Sequence, residues 1–465
     1  MFSVNINRSD TIMLIIFISV CVALRISFVD KDLLQHDLAA YLVPANSLLT
    51  HFEFLDQSGQ PMAFSAPLYP VLIAIFKKIF GAFWVEPMIA FQCLLLFSTG
   101  LFLKKFIQMY DTKFAHFGAY LLVFNPNSLG AAHALQTETF FTFFLFWSTI
   151  NFAWFIRQGT PKHLYSAILL AAIAAHIRPV GLYWAYFLPA FVFMCAFFKH
   201  GTKTYSLRFA AKHSILALIC LLMLFAPWQT RNYLTFGYYD FTSNKGLYLR
   251  DNLFALYSSG GITLDEAKLT FDKKFKKHCS SVSILCDAEN PFVMSEAMSD
   301  FVISDLKQAN PATIAKAELK SLIMLAVSPG TGLFREGWGI KNLNIGGVSS
   351  DRGFSGIVQA ANALLKNTNP FYLAFFGLSL AFSITIKLLA TIGVFNLINN
   401  ERASLTLFIL TSTGLLVASY MFLGQPRFRV PIEPILTYLA ILGLQTIWTV
   451  WRENGNHIIS EKQKN

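Results

Sequence analysis

The sequence predicts an all-α polytopic membrane protein, a bundle of about ten transmembrane helices within a range of about nine to twelve. Three observations predict it. Of its 465 residues, 55% are hydrophobic and only 14% are charged, whereas soluble proteins carry about 25% charged residues. The mean hydropathy is +0.50, and the apolar residues are gathered into runs long enough to cross a bilayer, which takes roughly 20 residues.

The net charge of +11 fits the same class. Basic residues flank membrane spans on the cytoplasmic side and meet anionic headgroups there. The chain shows no zinc-finger spacing and no basic motif for nucleic acid, so no nucleic-acid partner is expected.

The first apolar run, 11–29, follows Arg8 and has no small-residue cleavage site, which predicts an uncleaved signal anchor. A polar loop covers 30–65. The next apolar run, 68–80, is too short to span and ends in Lys77 and Lys78, so we expect it at the membrane interface. Together these segments form a first outer loop, 30–87.

The remaining predicted spans are 88–106, 115–131, 139–156, 164–175, 181–198, 209–226, 372–396, 405–423 and 432–451. With 68–80 at the interface, the short basic loops holding Lys104, Arg157 and Arg402 all fall in the cytoplasm, as the positive-inside rule requires. Both termini then lie inside, and the long loops 30–65 and 228–369 lie outside.

Three regions follow: a transmembrane module at 1–226, an extracytoplasmic region at 227–370, and further spans with a cytoplasmic tail at 371–465. In the second region, 267–278 mixes Leu269, Phe271 and Phe275 with five lysines. We expect an amphipathic helix on lipid headgroups; a platform for an acidic acceptor is the alternative. The segment 312–327 is a second amphipathic or buried stretch. Cys279 and Cys286 would form a local disulfide if this loop is extracytoplasmic and stay reduced if it is cytosolic.

Two carboxylates stand at the predicted outer surface. Asp37 follows the first span by about two helical turns and is suited to be a general base, a role worth about 10²–10⁴ in rate. An ordinary solvated loop acid is the equally weighted alternative. Glu138 opens the fourth span, where contact with substrate and simple stabilisation by the helix dipole have equal weight.

Four arginines lie on the outer side, against the positive-inside bias: Arg178, Arg231, Arg427 and Arg429. The planar guanidinium suits phosphate; for the last two, Glu433 as a structural anion is the alternative to a lipid phosphate. An acid together with phosphate-matching cations at one membrane face indicates chemistry on a lipid-linked phosphate. Such a donor has a good leaving group and needs only a base for the acceptor and cations for the departing phosphate.

Several motifs carry a family resemblance. They are Asp37…Tyr41…Ala45, Ala66-Pro67-Leu68-Tyr69-Pro70, Arg178-Pro179-Val180-Gly181, Pro227-Trp228 with Arg231-Asn232, Gly237 and Gly246, and Arg427-Phe428-Arg429-Val430-Pro431. Because these motifs occur in this order, the chain resembles the GT-C superfamily of integral-membrane glycosyltransferases. The likeness is nearest to the bacterial polyprenyl-phosphate-sugar-dependent enzymes, which include relatives of protein O-mannosyltransferase and of lipid A aminoarabinose transferase.

The resemblance implies a GT-C-like bundle, a lipid-phosphate donor, inversion at the anomeric carbon, and Asp37 as catalytic base. Several members carry two adjacent acids in this loop, where the present chain has His36-Asp37. The sequence therefore predicts no metal site and no cofactor. A divalent metal is an alternative that no residue pattern supports. The Trp-Trp-Asp-Tyr-Gly signature of oligosaccharyltransferases is absent from the sequence, which argues against en bloc transfer to asparagine.

The expected function is transfer of a single hexosyl or pentosyl unit to a protein, lipid or glycan acceptor, with the active site on the periplasmic or exterior face of the plasma (inner) membrane. Asp37 acts as base. The four arginines bind the donor phosphate, and the residues expected to contact substrate are His36, Tyr41, Tyr69 and Glu138. The alternatives are a flippase for a lipid-linked sugar, which should show pseudo-repeats, and a surface-polysaccharide ligase or polymerase.

Overall fold

A computed structural model describes residues 7–29, 38–110, 114–197, 205–282, 290–340, 369–399 and 403–462. Over these ranges the chain is almost wholly helical, with 18 α-helices and no β-sheet. The all-α prediction is confirmed.

The chain begins with α1 (Arg8–Ser27), α2 (Ala39–His51), α3 (Leu68–Phe80) and α4 (Val85–Tyr110). Helix α3 has the bounds predicted for the interfacial segment and packs against α2 and α4. Its Tyr69 and Ile73 are fully buried, whereas Ile79 at the other end is exposed.

Next come α5 (Ala115–Val123), α6 (Pro126–His133), α7 (Glu138–Gln158), α8 (Pro161–Ile177), α9 (Gly181–Met194) and α10 (Leu207–Phe236). The prediction of one continuous span over 115–131 is wrong, because α5 ends before Asn125 and α6 starts at Pro126. Proline disfavours helix in the residue before it, and the Asn125 side chain caps the new helix by accepting from the amides of Asn127 and Ser128.

The region after α10, which the sequence predicts to be extracytoplasmic, folds into α11 (Lys245–Ser259), α12 (Leu264–Val282), α13 (Pro291–Gln308), α14 (Pro311–Val327) and α15 (Gly332–Gly337). Helices α11–α14 share a hydrophobic cluster of their own. Phe271 and Phe275 of α12 are buried in it, whereas Leu269 is exposed. The expectation that 267–278 rests on lipid headgroups is therefore wrong for its aromatic side, which packs on protein.

Helix α12 also carries Cys279, which is buried and disulfide-bonded. Cys286 lies outside the described residues.

The chain closes with α16 (Pro370–Asn399), α17 (Ala403–Ala418), a 3-10 turn (Pro426–Ile432) and α18 (Glu433–Lys462). Helices α16 and α18 touch through their backbones. A Cβ on Gly393 would clash with the Leu439 carbonyl, and one on Gly443 would clash with the Leu389 carbonyl. Small residues permit this close approach of helices in membranes.

Six described helices are long and apolar enough to cross a membrane: Arg8–Ser27, Val85–Met109, Glu138–Gln158, Leu207–Phe236, Pro370–Ile398 and Pro426–Glu453. Two shorter apolar helices, Gly181–Phe197 and Ser404–Ala418, accompany them. The chain is therefore a multi-pass membrane protein. The total of about ten spans stays a prediction.

Candidate active site

An ion pair joins the start of α7 to the end of α8. Arg178 Nη1 lies 2.6 Å from Glu138 Oε1 and donates to Thr137 Oγ1 at 3.2 Å. Glu138 is buried, and the Arg178 side chain is 18% exposed. Burial alone would lower the pKa of Arg178, but the Glu138 carboxylate more than offsets this and the pKa is raised. The pair is therefore a fixed cation beside a fixed carboxylate.

Arg178 also meets the turn before α18. Its guanidinium lies 5.6 Å from the ring centre of Phe428, and that of Arg427 lies 5.0 Å from the same ring. Phe428 in turn stacks on Tyr420 at 4.7 Å. Two of the four predicted phosphate-binding arginines are thus brought together on one aromatic ring.

Tyr69 and Tyr41, both predicted site residues, form an edge-to-face pair with ring centres 5.0 Å apart. Tyr69 is fully buried, and its hydroxyl has no hydrogen-bond partner within the described ranges. Burial raises the pKa of Tyr69 well above its ordinary value, and the Tyr41 and Glu138 charges add to the effect. The phenol therefore stays neutral, with a proton to donate.

Other buried polar groups near the Glu138–Arg178 pair, in sequence or in space, also have no hydrogen-bond partner among the residues described. They are the Tyr420 hydroxyl, both amide atoms of Gln136 and the Thr139 hydroxyl. Leaving a buried polar group unpaired costs about 1–3 kcal/mol. Such groups are few in folded proteins, and their concentration beside Glu138 and Arg178 marks a place for a polar ligand.

Sequence reasoning missed Tyr420, because a tyrosine at the outer end of an apolar run is an ordinary interfacial aromatic. Its position depends on distant tethers. Tyr248 donates to the Ser419 carbonyl, Phe422 N donates to Asn252, and Ser321 donates to the Met421 carbonyl. These tethers hold Met421 at φ 45°, in the left-handed region that non-glycine residues seldom adopt. Gln136, in contrast, stands two residues before Glu138, so its position near the site could be predicted from the sequence.

Arg429 has a different environment. Its guanidinium pairs with Glu433 and donates to the Leu325 carbonyl and to the Ser328 carbonyl at 2.9 Å. Glu433 also accepts from Asn125 at 3.0 Å and Asn127 at 3.2 Å. Arg429 is 2% exposed and Glu433 0%. These contacts tie α6, α14 and α18 together, and the role of Arg429 in phosphate binding stays a prediction.

Arg231 fastens the first outer loop to α10. It donates to the carbonyls of Met62 at 2.9 Å and Phe54 at 3.3 Å, and its guanidinium lies 5.0 Å from the ring centre of Trp228. Phe54 packs edge-on against the same tryptophan at 4.9 Å. Its phosphate-binding role likewise stays a prediction.

His36 and Asp37 lie outside the described residues. The residue that follows them, Leu38, is buried and precedes α2, the helix that carries Tyr41. The predicted site residues that are described form no cluster of metal ligands.

No family model matches the chain, and no curated protein matches it. Among solved structures it resembles the archaeal oligosaccharyltransferase AglB from Archaeoglobus fulgidus in complex with an inhibitory peptide and a dolichol-phosphate. The TM-score is 0.49 and the identity 11%, over 96% of this chain and 51% of that one. It also resembles ArnT from Cupriavidus metallidurans bound to undecaprenyl phosphate, with TM-score 0.39 and 12% identity over 91% and 78%. The chain thus spans about half the length of the AglB chain.

Proposed function

We propose that this protein is an inverting glycosyltransferase that moves one sugar from a polyprenyl-phosphate donor to an acceptor at the extracytoplasmic face of the plasma membrane. One observation carries the proposal. The Glu138–Arg178 pair shares the Phe428 ring with Arg427. The buried hydroxyls of Tyr69 and Tyr420, which have no hydrogen-bond partner among the described residues, belong to the same cluster.

The arrangement suits a departing phosphate. Within the described residues, Arg178 makes its hydrogen bonds through Nη1, so Nε and Nη2 are left for a ligand. Glu138 holds one edge of the guanidinium and thereby orients the others. Donors fixed where charge develops stabilise a transition state more than mobile ones do, and arginine binds phosphate through two parallel hydrogen bonds.

The reaction follows from these parts. Asp37 takes the proton from an acceptor hydroxyl or amine, and the freed electron pair forms the bond to the anomeric carbon. The bond from that carbon to the phosphate oxygen breaks, and its electron pair leaves with the polyprenyl phosphate beside Arg178 and Arg427. Attack opposite the leaving group inverts the anomeric configuration. His36, Tyr41 and Tyr69 contact the sugar or the acceptor, and the acceptor is a protein, a lipid or a glycan.

The test is transfer of radiolabelled sugar from a polyprenyl-phosphate donor in proteoliposomes that contain the purified protein and a membrane extract as acceptor source. Asp37→Asn should reduce transfer by about 10²–10⁴. Asp56→Asn is the matched control, since it makes the same change in the same loop at an exposed residue that accepts from the amides of Ser58 and Gln60. Full activity of a folded Asp37→Asn protein would exclude this mechanism.

The same vesicles separate the rivals. A transferase produces a new labelled molecule one sugar heavier by mass spectrometry. A flippase exposes unchanged donor on the opposite leaflet, and a ligase or polymerase adds a longer glycan.

A further inference from the structure

Three metal-ligand side chains converge away from the candidate active site. Cys21 of α1, Cys93 of α4 and His133 of α6 place two sulfur atoms and a ring nitrogen within 4.8 Å of one another. Cys93 and His133 are buried at 8% and 1% exposure, and Cys21 is half-buried. We propose that these residues form a three-coordinate site for a thiophilic metal ion, Cu⁺.

The histidine is arranged as a ligand. Its Nδ1 lies 2.9 Å from the Leu129 carbonyl, and since a carbonyl only accepts, Nδ1 carries the proton. The lone pair is then on Nε2, which lies 4.0 Å from Cys93 Sγ. The Cys21 carbonyl lies 3.4 Å from Nε2 and would favour a proton on that nitrogen instead. The contact of Nδ1 with the Leu129 carbonyl is shorter, at 2.9 Å, so the tautomer with the proton on Nδ1 is favoured. The Leu129 carbonyl orients the ring, as the hydrogen-bond partners of metal-bound histidines do, and Phe28 packs edge-on against it.

The spacing fits an ion between the three atoms. Bonds of about 2.3 Å to sulfur and about 2.0 Å to nitrogen, spread in a plane, put sulfur and nitrogen about 3.7 Å apart and the two sulfurs about 4.0 Å apart. The 4.0 Å contact between Cys93 and His133 needs a change of only a few tenths of an ångström. Thiolates suit both Cu⁺ and Zn²⁺, but zinc takes a fourth ligand, a protein group in structural sites or a water in catalytic ones. No fourth Cys, His, Asp or Glu joins the three among the described residues, so the proposed ion is three-coordinate Cu⁺.

The surroundings match the charge. Each thiol gives its proton to solvent on binding, so two thiolates and Cu⁺ carry a net charge of −1. Arg25 stands one helical turn beyond Cys21 on the same face of α1. It pairs with Glu86 through Nε and Nη2, whereas its Nη1 is buried without a hydrogen-bond partner in the described part of the chain. That remaining donor is available to the thiolate site.

The site would join the end of α6 to α1 and α4. Helix α6 leads directly to Gln136, Thr137 and Glu138. A bound ion there would hold the start of α7 against the first helix without contacting substrate.

The experiment uses the full chain, purified in detergent under reducing, oxygen-free conditions and titrated with Cu⁺ against a chromophoric chelator. We expect one equivalent to bind, with X-ray absorption showing two sulfur ligands and one nitrogen ligand. Cys21→Ser, Cys93→Ser and His133→Asn should each weaken binding by more than about 10–100-fold, the loss that follows when only an outer partner of a metal ligand is changed. Cys195→Ser and Cys220→Ser, changes at two cysteines outside this group, should leave it unchanged.

A second measurement needs no variant. Bound Cu⁺ should protect Cys21 and Cys93 of the wild-type protein from a maleimide and leave the labelling of Cys195 and Cys220 as it was. Equal protection with and without the ion, tighter binding of Zn²⁺ than of Cu⁺, or a Cys21–Cys93 disulfide in freshly purified protein would each overturn the proposal.

Discussion

Two buried arginine–glutamate pairs lie at the same end of the helix bundle, and their surroundings differ. Around Arg429 and Glu433, the guanidinium and the carboxylate both have several protein partners. Around Arg178 and Glu138, one guanidinium nitrogen is used and the neighbouring hydroxyls of Tyr69 and Tyr420 have no partner in the described ranges. A saturated pair stabilises the fold, whereas an unsaturated one has capacity left for a ligand.

The largest effect should come from breaking the saturated pair. Arg429→Ala leaves Glu433 buried without its cation, which typically costs about 3–5 kcal/mol. We expect loss of monodisperse protein or a large fall in the thermal unfolding temperature, measured in detergent. Arg250→Ala removes a pair whose Asp251 is half exposed and should cost under about 1 kcal/mol. A folded, stable Arg429→Ala protein that has lost donor binding would instead show that Arg429 is a phosphate ligand.

Breaking the unsaturated pair should affect catalysis more than folding. Arg178→Lys keeps a charge near Glu138 but loses the planar fork, and we expect transfer to fall by about 10²–10³, the loss typical of one transition-state donor. The measurement is kcat and KM in proteoliposomes, with the unfolding temperature beside it. If Arg178→Lys unfolded while its remaining folded fraction stayed fully active, the Arg178–Glu138 pair would be structural like the Arg429–Glu433 pair. The proposed difference between the two pairs would then be wrong.

The unpaired tyrosine hydroxyl gives a sharper test. Tyr69→Phe removes a buried group that has no partner among the described residues, so stability should rise by up to about 1 kcal/mol while transfer falls. Tyr248→Phe is the matched change at a hydroxyl that donates to the Ser419 carbonyl at 2.9 Å, and it should lower stability by about 1 kcal/mol. The thermal unfolding temperatures of both variants decide the matter, and a loss of stability in Tyr69→Phe would argue against an open polar site.

The smallest effect concerns alkaline pH. The pKa of Tyr69 is raised, first by burial and then by the Tyr41 and Glu138 charges. Below about pH 10 the phenol is protonated in both the folded and the unfolded chain, and its contribution is constant. Above that pH the unfolded chain loses this proton first, so stability falls as the pH rises towards the folded pKa. Unfolding temperatures between pH 9 and 11 should decline more steeply in wild type than in Tyr69→Phe; parallel curves would contradict this.

Local signals predicted much of the architecture. The run 68–80 ends in two lysines and is too short to span, and α3 has those bounds. The helix break before Pro126 could be predicted from the proline itself, but the apolar run 115–131 was interpreted as one continuous span. The aromatic face of 267–278 was misassigned to lipid because a phenylalanine stripe among lysines suits a membrane surface and a protein partner equally well.

The candidate site was predictable only in part. Glu138, Arg178 and Arg427 were placed on one face by counting charges, and the structure brings them together. For Arg429 the sequence offered Glu433 as a partner, and the structure pairs them. The carbonyls that Arg429 also contacts belong to Leu325 and Ser328, about a hundred residues away, and could not be predicted. Tyr420 likewise depends on tethers from α11 and α14.

The contact between Gly393 and Gly443 has a mechanical consequence. The helix Pro370–Ile398 has 29 residues, about 43 Å at about 1.5 Å per residue, which is longer than a hydrocarbon core of about 30 Å. Such a helix relieves the mismatch by tilting. Because the two backbones touch without side chains between them, α18 tilts with α16 and carries the turn that holds Arg427 and Phe428. The position of Arg427 is thereby coupled to that of α16.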